Sequence, residues 1–185
     1  MKHLFARAVV SLLVCSFLSF ASAKAQSITT DDIKSQLVAE WERAKTFTVE
    51  YLNAMPPDKY SFKAVDSIRS FAQQMIHLAQ ANFGLMAPAV GKTPPAYAQS
   101  DLEHSAGAQT KDSVMYYVSA SYDYCINAAK TLDQAKWGET KELFGFKETR
   151  YAMMIKTFEH QTHHRGQATI YIRLQGIKPP QERLF

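Results

Sequence analysis

Cysteine is nearly absent from this chain: Cys15 and Cys125 are the only two in 185 residues. Cys15 sits inside the N-terminal apolar run Ala8 to Phe20, directly behind Val14. It lacks the small residue that precedes a lipoprotein cysteine, so no lipid anchor is expected there. If that run is removed, Cys125 stands alone, and an intrachain disulfide is excluded even in an oxidising compartment. A membrane span is missing as well, because the run falls short of the roughly 20 apolar residues that a spanning helix needs. Tandem repeats and low-complexity tracts are lacking too. No stretch shows the period-two alternation of a strand, which leaves an all-α chain.

Charge of one sign is also scarce. The formal charge of +4 comes from 21 basic and 17 acidic residues, but Lys2, Arg7 and Lys24 lie ahead of residue 26. Without them 18 basic residues face 17 acidic ones and the charge falls to +1. No basic stripe remains to argue for nucleic acid. The segment that carries the excess reads as a secretory signal: Lys2, His3 and Arg7 precede the apolar run. Ala21-Ser22-Ala23 and Ala23-Lys24-Ala25 follow it, both of the small-x-small kind that signal peptidase cuts. The expectation is a signal over 1–25 and a mature chain from near Gln26, exported to the periplasm or beyond with no stable membrane anchor. One domain over 26–185 follows, about 160 residues and long enough for a real core.

Within that domain, Thr29-Thr30 caps a first helix with Asp31 and Asp32 in its opening turn. Its stripe of Ile33, Leu37, Trp41, Ala44, Thr48, Leu52 and Met55 steps by threes and fours, and Pro56-Pro57 stops it. A second stripe, Ile68, Phe71, Ala72, Met75, Ala79, Phe83 and Met86, is ended by Ala87-Pro88 and Gly91. The segment from Ala87 to Gly107 has no helical period and reads as a long crossover. Thr110 caps a third helix along Val114, Val118, Tyr122, Cys125, Ala129 and Leu132. Trp137 to Phe146 is a connection with two glycines. The fourth helix runs from Lys147 to Leu174 and is closed by Gly176 and Pro179-Pro180. Four long helices with a long link between the second and third predict a four-helix bundle that is not a simple series of hairpins.

The chemistry concentrates in the fourth helix, where three of six histidines, His160, His163 and His164, fall within five residues. Residues four apart stack on one helical face, so His160 and His164 aim two imidazoles at one point, with Gln167 one turn further on. His163 lies about 60° off that line by the rotation per residue. The pair resembles the zinc helix of metalloproteases in spacing. In that motif, however, the residue after the first histidine is a glutamate base, and here it is Gln161, which takes no proton.

A metal needs a third ligand from another element, and His77 is the donor to hand. On its helix it lies opposite Met75, Ala79 and Met86, with Ser70, Gln73, Ala81 and Gly84. That face is either plain surface or an open groove. Gln167 could orient a ligand or water, or be a polar residue at a helix interface. Tyr171 could be a pocket wall, a hydrogen-bond donor or core. Gly166 costs about 1 kcal/mol inside a helix and suggests a close approach. Arg165 is expected to be solvated or paired with Glu159 or Asp66, and His104 and His163 to lie on the surface. No Asp or Glu stands on the ligand face as a general base.

These pieces occur in a telling order: Met55-Pro-Pro-Asp-Lys-Tyr-Ser-Phe62; Arg69-Ser-Phe71 through His77-Leu-Ala79 and Asn82; His160-x-x-x-His164-Arg-Gly-Gln167; and Tyr171-x-Arg-x-x-Gly-x-x-Pro-Pro180. Together they resemble the DinB (DinB/YfiT-like) family of metal-binding four-helix bundles over nearly the whole mature chain. The resemblance implies a crossover after the second helix and a divalent metal, commonly nickel or zinc, held by His77, His160 and His164 with positions left for water. It implies pairing as a homodimer. It also implies either metal-dependent hydrolysis or a thiol-dependent transfer or isomerisation. Export removes the chain from the cytosolic thiol pool. It therefore favours hydrolysis of a small substrate, or metal binding without turnover, over a thiol-dependent transferase.

Overall fold

The computed structural model describes residues 27–185. The signal segment expected over 1–25, with Cys15, lies outside the described residues. Four helices form the bundle: α1 (Thr30–Ala54), α2 (Phe71–Val90), α3 (Lys111–Thr131) and α4 (Arg150–Leu174). Each starts where the sequence supplies an N-cap oxygen. Thr29 and Ser70 make full capping boxes with Asp32 and Gln73, while Thr110 and Thr149 accept from the backbone N–H groups of Ser113 and Ala152.

The second helix differs from the sequence reading at both ends. It begins at Phe71, behind the Ser70 cap, and leaves Ile68 exposed in the preceding loop. It also runs through Pro88 to Gly91, whose φ of 68° is the left-handed closure. Pro88 falls in the last turn, where its missing N–H removes the intrahelical donor to Gly84 O. One of the carbonyls freed at that end, Ala89 O, accepts from Arg150 Nη1 at 2.7 Å.

The long crossover follows from helix direction. Contacts between α2 and α3 rise together along both sequences: Asn82 meets Ser121 and Cys125, and Lys92 meets Thr131. The two helices are therefore parallel, and the link between them must travel back along the bundle. It does so through two short 3-10 turns, Ala96–Gln99 and Ala106–Gln109. Between α2 and α4 the order reverses: Gln74 meets His164 near one end, and Ala89 meets Arg150 near the other. That antiparallel pair is the one that builds the site.

The connection between α3 and α4 holds a β-hairpin that the sequence did not announce, β1 (Thr140–Leu143) and β2 (Phe146–Thr149), with Leu143 opposite Phe146. Its two-residue turn, Phe144-Gly145, has φ of 54° and 80°. Both are positive, as a type I′ hairpin turn requires. Strands of four residues that alternate charge with partial burial carry too little apolar pattern to stand out. Thr149 ends the hairpin and caps α4, so that helix starts at Arg150, three residues later than periodicity suggests.

The core is built on Trp41, Leu52, Phe71, Met75, Met86 and Met154, all fully buried. A polar ladder crosses it. The Tyr122 hydroxyl donates to Gln161 Oε1 at 2.7 Å and lies 2.7 Å from Thr48 Oγ1, and Arg165 Nη1 donates to the same Gln161 oxygen at 2.8 Å. Arg165 is only 6% exposed, with its guanidinium over the Phe47 ring at 4.9 Å. It is neither solvated nor paired with Glu159 or Asp66. Its neighbours on the inner face are polar enough to hold it, which a pattern of apolar stripes could not reveal.

Candidate metal centre

The antiparallel packing of α2 on α4 brings His77 up to the turn that carries His160 and His164. One ligand atom from each lies within 4.8 Å of the others. The Nε2 atoms of His160 and His164 are 3.1 Å apart. Two nitrogens on one tetrahedral zinc, each about 2.0 Å from it, would be separated by roughly 3.3 Å, so the α4 pair is already spaced as two ligands of one ion.

Each flanking histidine is held from behind. His77 Nδ1 lies 2.8 Å from Glu103 Oε1, while Arg69 Nε donates to Oε2 of the same carboxylate at 2.6 Å. That leaves His77 Nε2 for the cluster and makes a carboxylate–histidine arrangement of the kind that orients metal ligands. Burial pushes the Glu103 carboxyl up, but the hydrogen bonds from Arg69 and His77 outweigh it and hold it below the usual carboxylate range. His164 Nδ1 lies 2.7 Å from the side-chain amide of Gln74. That amide also bonds Gln167, which in turn lies 2.9 Å from His163 Nε2. A chain of two amides can run in either direction. Ligation through His164 Nε2 requires the proton on Nδ1, so Gln74 then accepts through its oxygen, and Gln167 turns over with it.

His160 differs from both. Its Nδ1 is buried and has no partner among the described residues. Burial, then the neighbouring His77, His163 and Arg69, lower its pKa. Burial and the same neighbours, with His160 foremost among them, push His164 down to about 3. Both rings are therefore neutral at neutral pH, with lone pairs available. An imidazole with an unpaired buried nitrogen beside two oriented ones is a donor set that fits a divalent cation of the zinc or nickel kind.

The cluster opens on a cavity of about 450 Å³ whose wall includes His77, His160, Ala81, Gly84, Glu103 and Phe144. Its α2 side is open because Gly84 presents no side chain, and a Cβ there would meet nothing within 4 Å. On the other side of Glu103 lies a larger recess of about 760 Å³, walled by Arg69, Gln74, Gln167 and Tyr171 among others. Tyr171 thus faces a pocket, but its hydroxyl donates to Arg69 O at 2.8 Å and its ring packs edge-on to Phe62 and Phe71. Its contact with the centre runs through Arg69. His163 is exposed, with its ring edge-on to His164 at 4.9 Å and its Nε2 on Gln167, and His104 pairs with Asp101 at 2.7 Å outside the cluster.

Sequence reasoning missed Glu103 and Gln74. Glu103 stands on the crossover, which folds it back across 26 residues to His77. Gln74 did leave a signal: it is a polar residue three positions before His77, one turn away on the same side of its helix.

The comparisons with known proteins agree with this architecture. No protein of curated function matches the chain. Among solved structures it resembles a DinB-like protein from Bacillus cereus with a TM-score of 0.69 at 14% identity, over 80% of this chain and 97% of that one. It also resembles a DinB-like protein from Bacillus subtilis with a TM-score of 0.59 at 21% identity, over 81% and 96%. At those identities the likeness is one of fold. The model of the DinB family matches residues 24–183. On that match the chain belongs to the DinB family.

Proposed function

We propose that the protein binds a nickel or zinc ion through His77, His160 and His164, and that it hydrolyses a small substrate in the cavity beside them. The observation that carries this is the convergence of three imidazole donors within 4.8 Å, one of them with a buried nitrogen unpartnered among the described residues. A bound cation of this kind lowers the pKa of water and polarises a carbonyl. The chain supplies the rest. Glu103 fixes the tautomer and tilt of His77, Gln74 and Gln167 do the same for His164, and Gly84 keeps the mouth wide enough for a small molecule.

Metal content settles the first half. Protein purified without an affinity tag should carry close to one nickel or zinc per chain by elemental analysis, and His160→Ala should carry almost none. Equal content in the two would end the ligand assignment. For the second half, hydrolysis from a screen of esters, amides and lactones should vanish on chelation and return with added metal.

One observation favours a second reading, metal binding without turnover. Both oxygens of Glu103 are engaged, by His77 and Arg69, so the carboxylate nearest the centre is not free to act as a general base. Metal retention with no turnover across the same screen would select that reading. Export through residues 1–25 and assembly as a homodimer belong to the same proposal. N-terminal sequencing of the processed protein and light scattering test them in turn.

A further inference from the structure

The hairpin between α3 and α4 spends conformational freedom in an unusual place. Type I′ turns favour Asn or Asp before Gly because the first central residue must take positive φ. Here a phenylalanine takes it, at 54°. A bulky side chain in that region is uncommon and points toward function. The same residue is 79% exposed and its neighbour Phe146 72%, on strands whose other outward positions carry Lys and Glu. Packing within the hairpin explains neither ring.

Position explains both. Phe144 lines the cavity that contains His77 and His160. It also lines a second cavity of about 260 Å³, formed with Leu85, Leu143, Phe146 and Met153. Leu85 borders both as well. The two hollows therefore share a wall, and an apolar trough begins where the histidine cavity ends. The charges at its rim, Glu148 and Lys156, are paired with each other at 3.4 Å and offer nothing to a charged ligand.

We infer that the substrate is a small neutral amphiphile. Its polar head reaches the histidines and its alkyl or aryl tail lies in the trough under the β1–β2 turn, with Phe144 setting the preference for that tail. This rests on the metal-centre reading above and goes beyond it by assigning the class of substrate and the residue that selects it.

A ladder of alkyl hydroxamates from acetohydroxamate to octanohydroxamate, titrated calorimetrically into the zinc-loaded protein, tests it without any turnover. The head chelates the metal and the tail grows by one methylene at a time. Burial of each methylene predicts that Kd falls about fourfold per step until the trough is full. Phe144→Asn places the residue that this turn prefers, so the variant keeps its fold, which thermal denaturation checks, and it should flatten the ladder. A steep ladder in the wild type that flattens in the variant supports the assignment. Acetohydroxamate binding that chelation abolishes, but with no gain along the ladder, overturns the inference and leaves the metal centre standing. A ladder equally steep in Phe144→Asn removes the hairpin from the site. Zinc-loaded protein that binds no hydroxamate of any length has no open coordination position, which defeats both the inference and the hydrolysis it rests on.

Discussion

Neighbouring residues on α4 serve two regions of opposite character. His160 and His164 turn toward α2, while Gln161 and Arg165, each one position further along, turn toward α1 and α3. On the second face the polar groups find each other: Thr48, Tyr122, Gln161 and Arg165 make one connected ladder inside the core. On the first face His160 Nδ1 has no partner among the described residues, and the Nε2 atoms of His160 and His164 crowd together at 3.1 Å. Trp41 Nε1, Asn82 Oδ1 and Trp137 Nε1 are also unpartnered among the described residues, but none of them belongs to the three-histidine group. Satisfied polar groups specify a fold; unsatisfied groups that converge await a ligand.

The comparison breaks most sharply at Gln161. Replacing it by alanine removes the shared acceptor of the Tyr122 hydroxyl and Arg165 Nη1 and leaves both to Thr48 Oγ1 in the core, which should cost about 3 kcal/mol. For a chain of this size the Tm then falls by roughly 6–12 °C in a calorimetric scan, while metal content stays near the wild-type value. His160→Ala should do the reverse. Metal affinity drops by more than about 100-fold, beyond the loss ascribed to supporting residues, and the metal-free stability changes by about 1 kcal/mol or less. If both variants lose metal and stability together, the two faces are one unit and the distinction fails.

Glu103→Ala probes the support behind His77. Because it leaves all three ligands in place, the expected loss of zinc affinity is about 10- to 100-fold, read by competition with a chromophoric chelator. Glu103→Gln, which can still accept from Nδ1, should recover part of it. An unchanged affinity in Glu103→Ala would make the carboxylate a surface ion pair with Arg69 and nothing more.

Protonation separates the faces by another route. The folded pKa of His160 lies below its ordinary value and that of His164 lies near 3, both through burial first. In the unfolded chain each returns to about 6.5. Between those values the unfolded chain binds more protons, so metal-free protein is fully stable above about pH 6.5 and loses stability as the pH falls toward 3. His164→Gln should blunt that decline in a series of thermal melts, whereas Gln161→Ala should shift every melt down without changing the slope.

The sequence disclosed some of this and hid the rest for reasons tied to particular residues. Helix starts were legible at Thr29 and Thr110 because an N-cap oxygen followed by a periodic apolar stripe is a local signal. The His160–His164 pair was legible because four-residue spacing needs no tertiary information. His77 looked like surface, correctly placed on the polar side of α2 yet turned to a cleft that exists only once α4 lies antiparallel to it. Glu103 was invisible because its approach to His77 depends on the return path of the crossover. Arg165 was misjudged because α4 has no clean apolar stripe: its inward residues include Thr157, Gln161 and Arg165 themselves. The hairpin escaped because strands of four residues, half of them charged, leave too short a pattern.

Gly166 gives the smallest effect and the finest test of where the two faces meet. It stands between Arg165 and Gln167 in the middle of α4, where glycine costs about 0.5–1 kcal/mol relative to alanine. The sequence suggested a close helix or substrate approach, but a Cβ built there meets nothing within 4 Å. The residue borders a recess of about 530 Å³ beneath the C-terminal tail, walled in part by Arg165, Arg173 and Lys178. On this geometry Gly166→Ala should gain the helix propensity with no steric charge against it, raising the Tm by roughly 1–4 °C and leaving zinc affinity untouched. A lower Tm would require a neighbour that the single chain does not contain. Light scattering on the variant would then identify it: loss of a homodimer would put the partner chain over the recess and explain why this position stays bare.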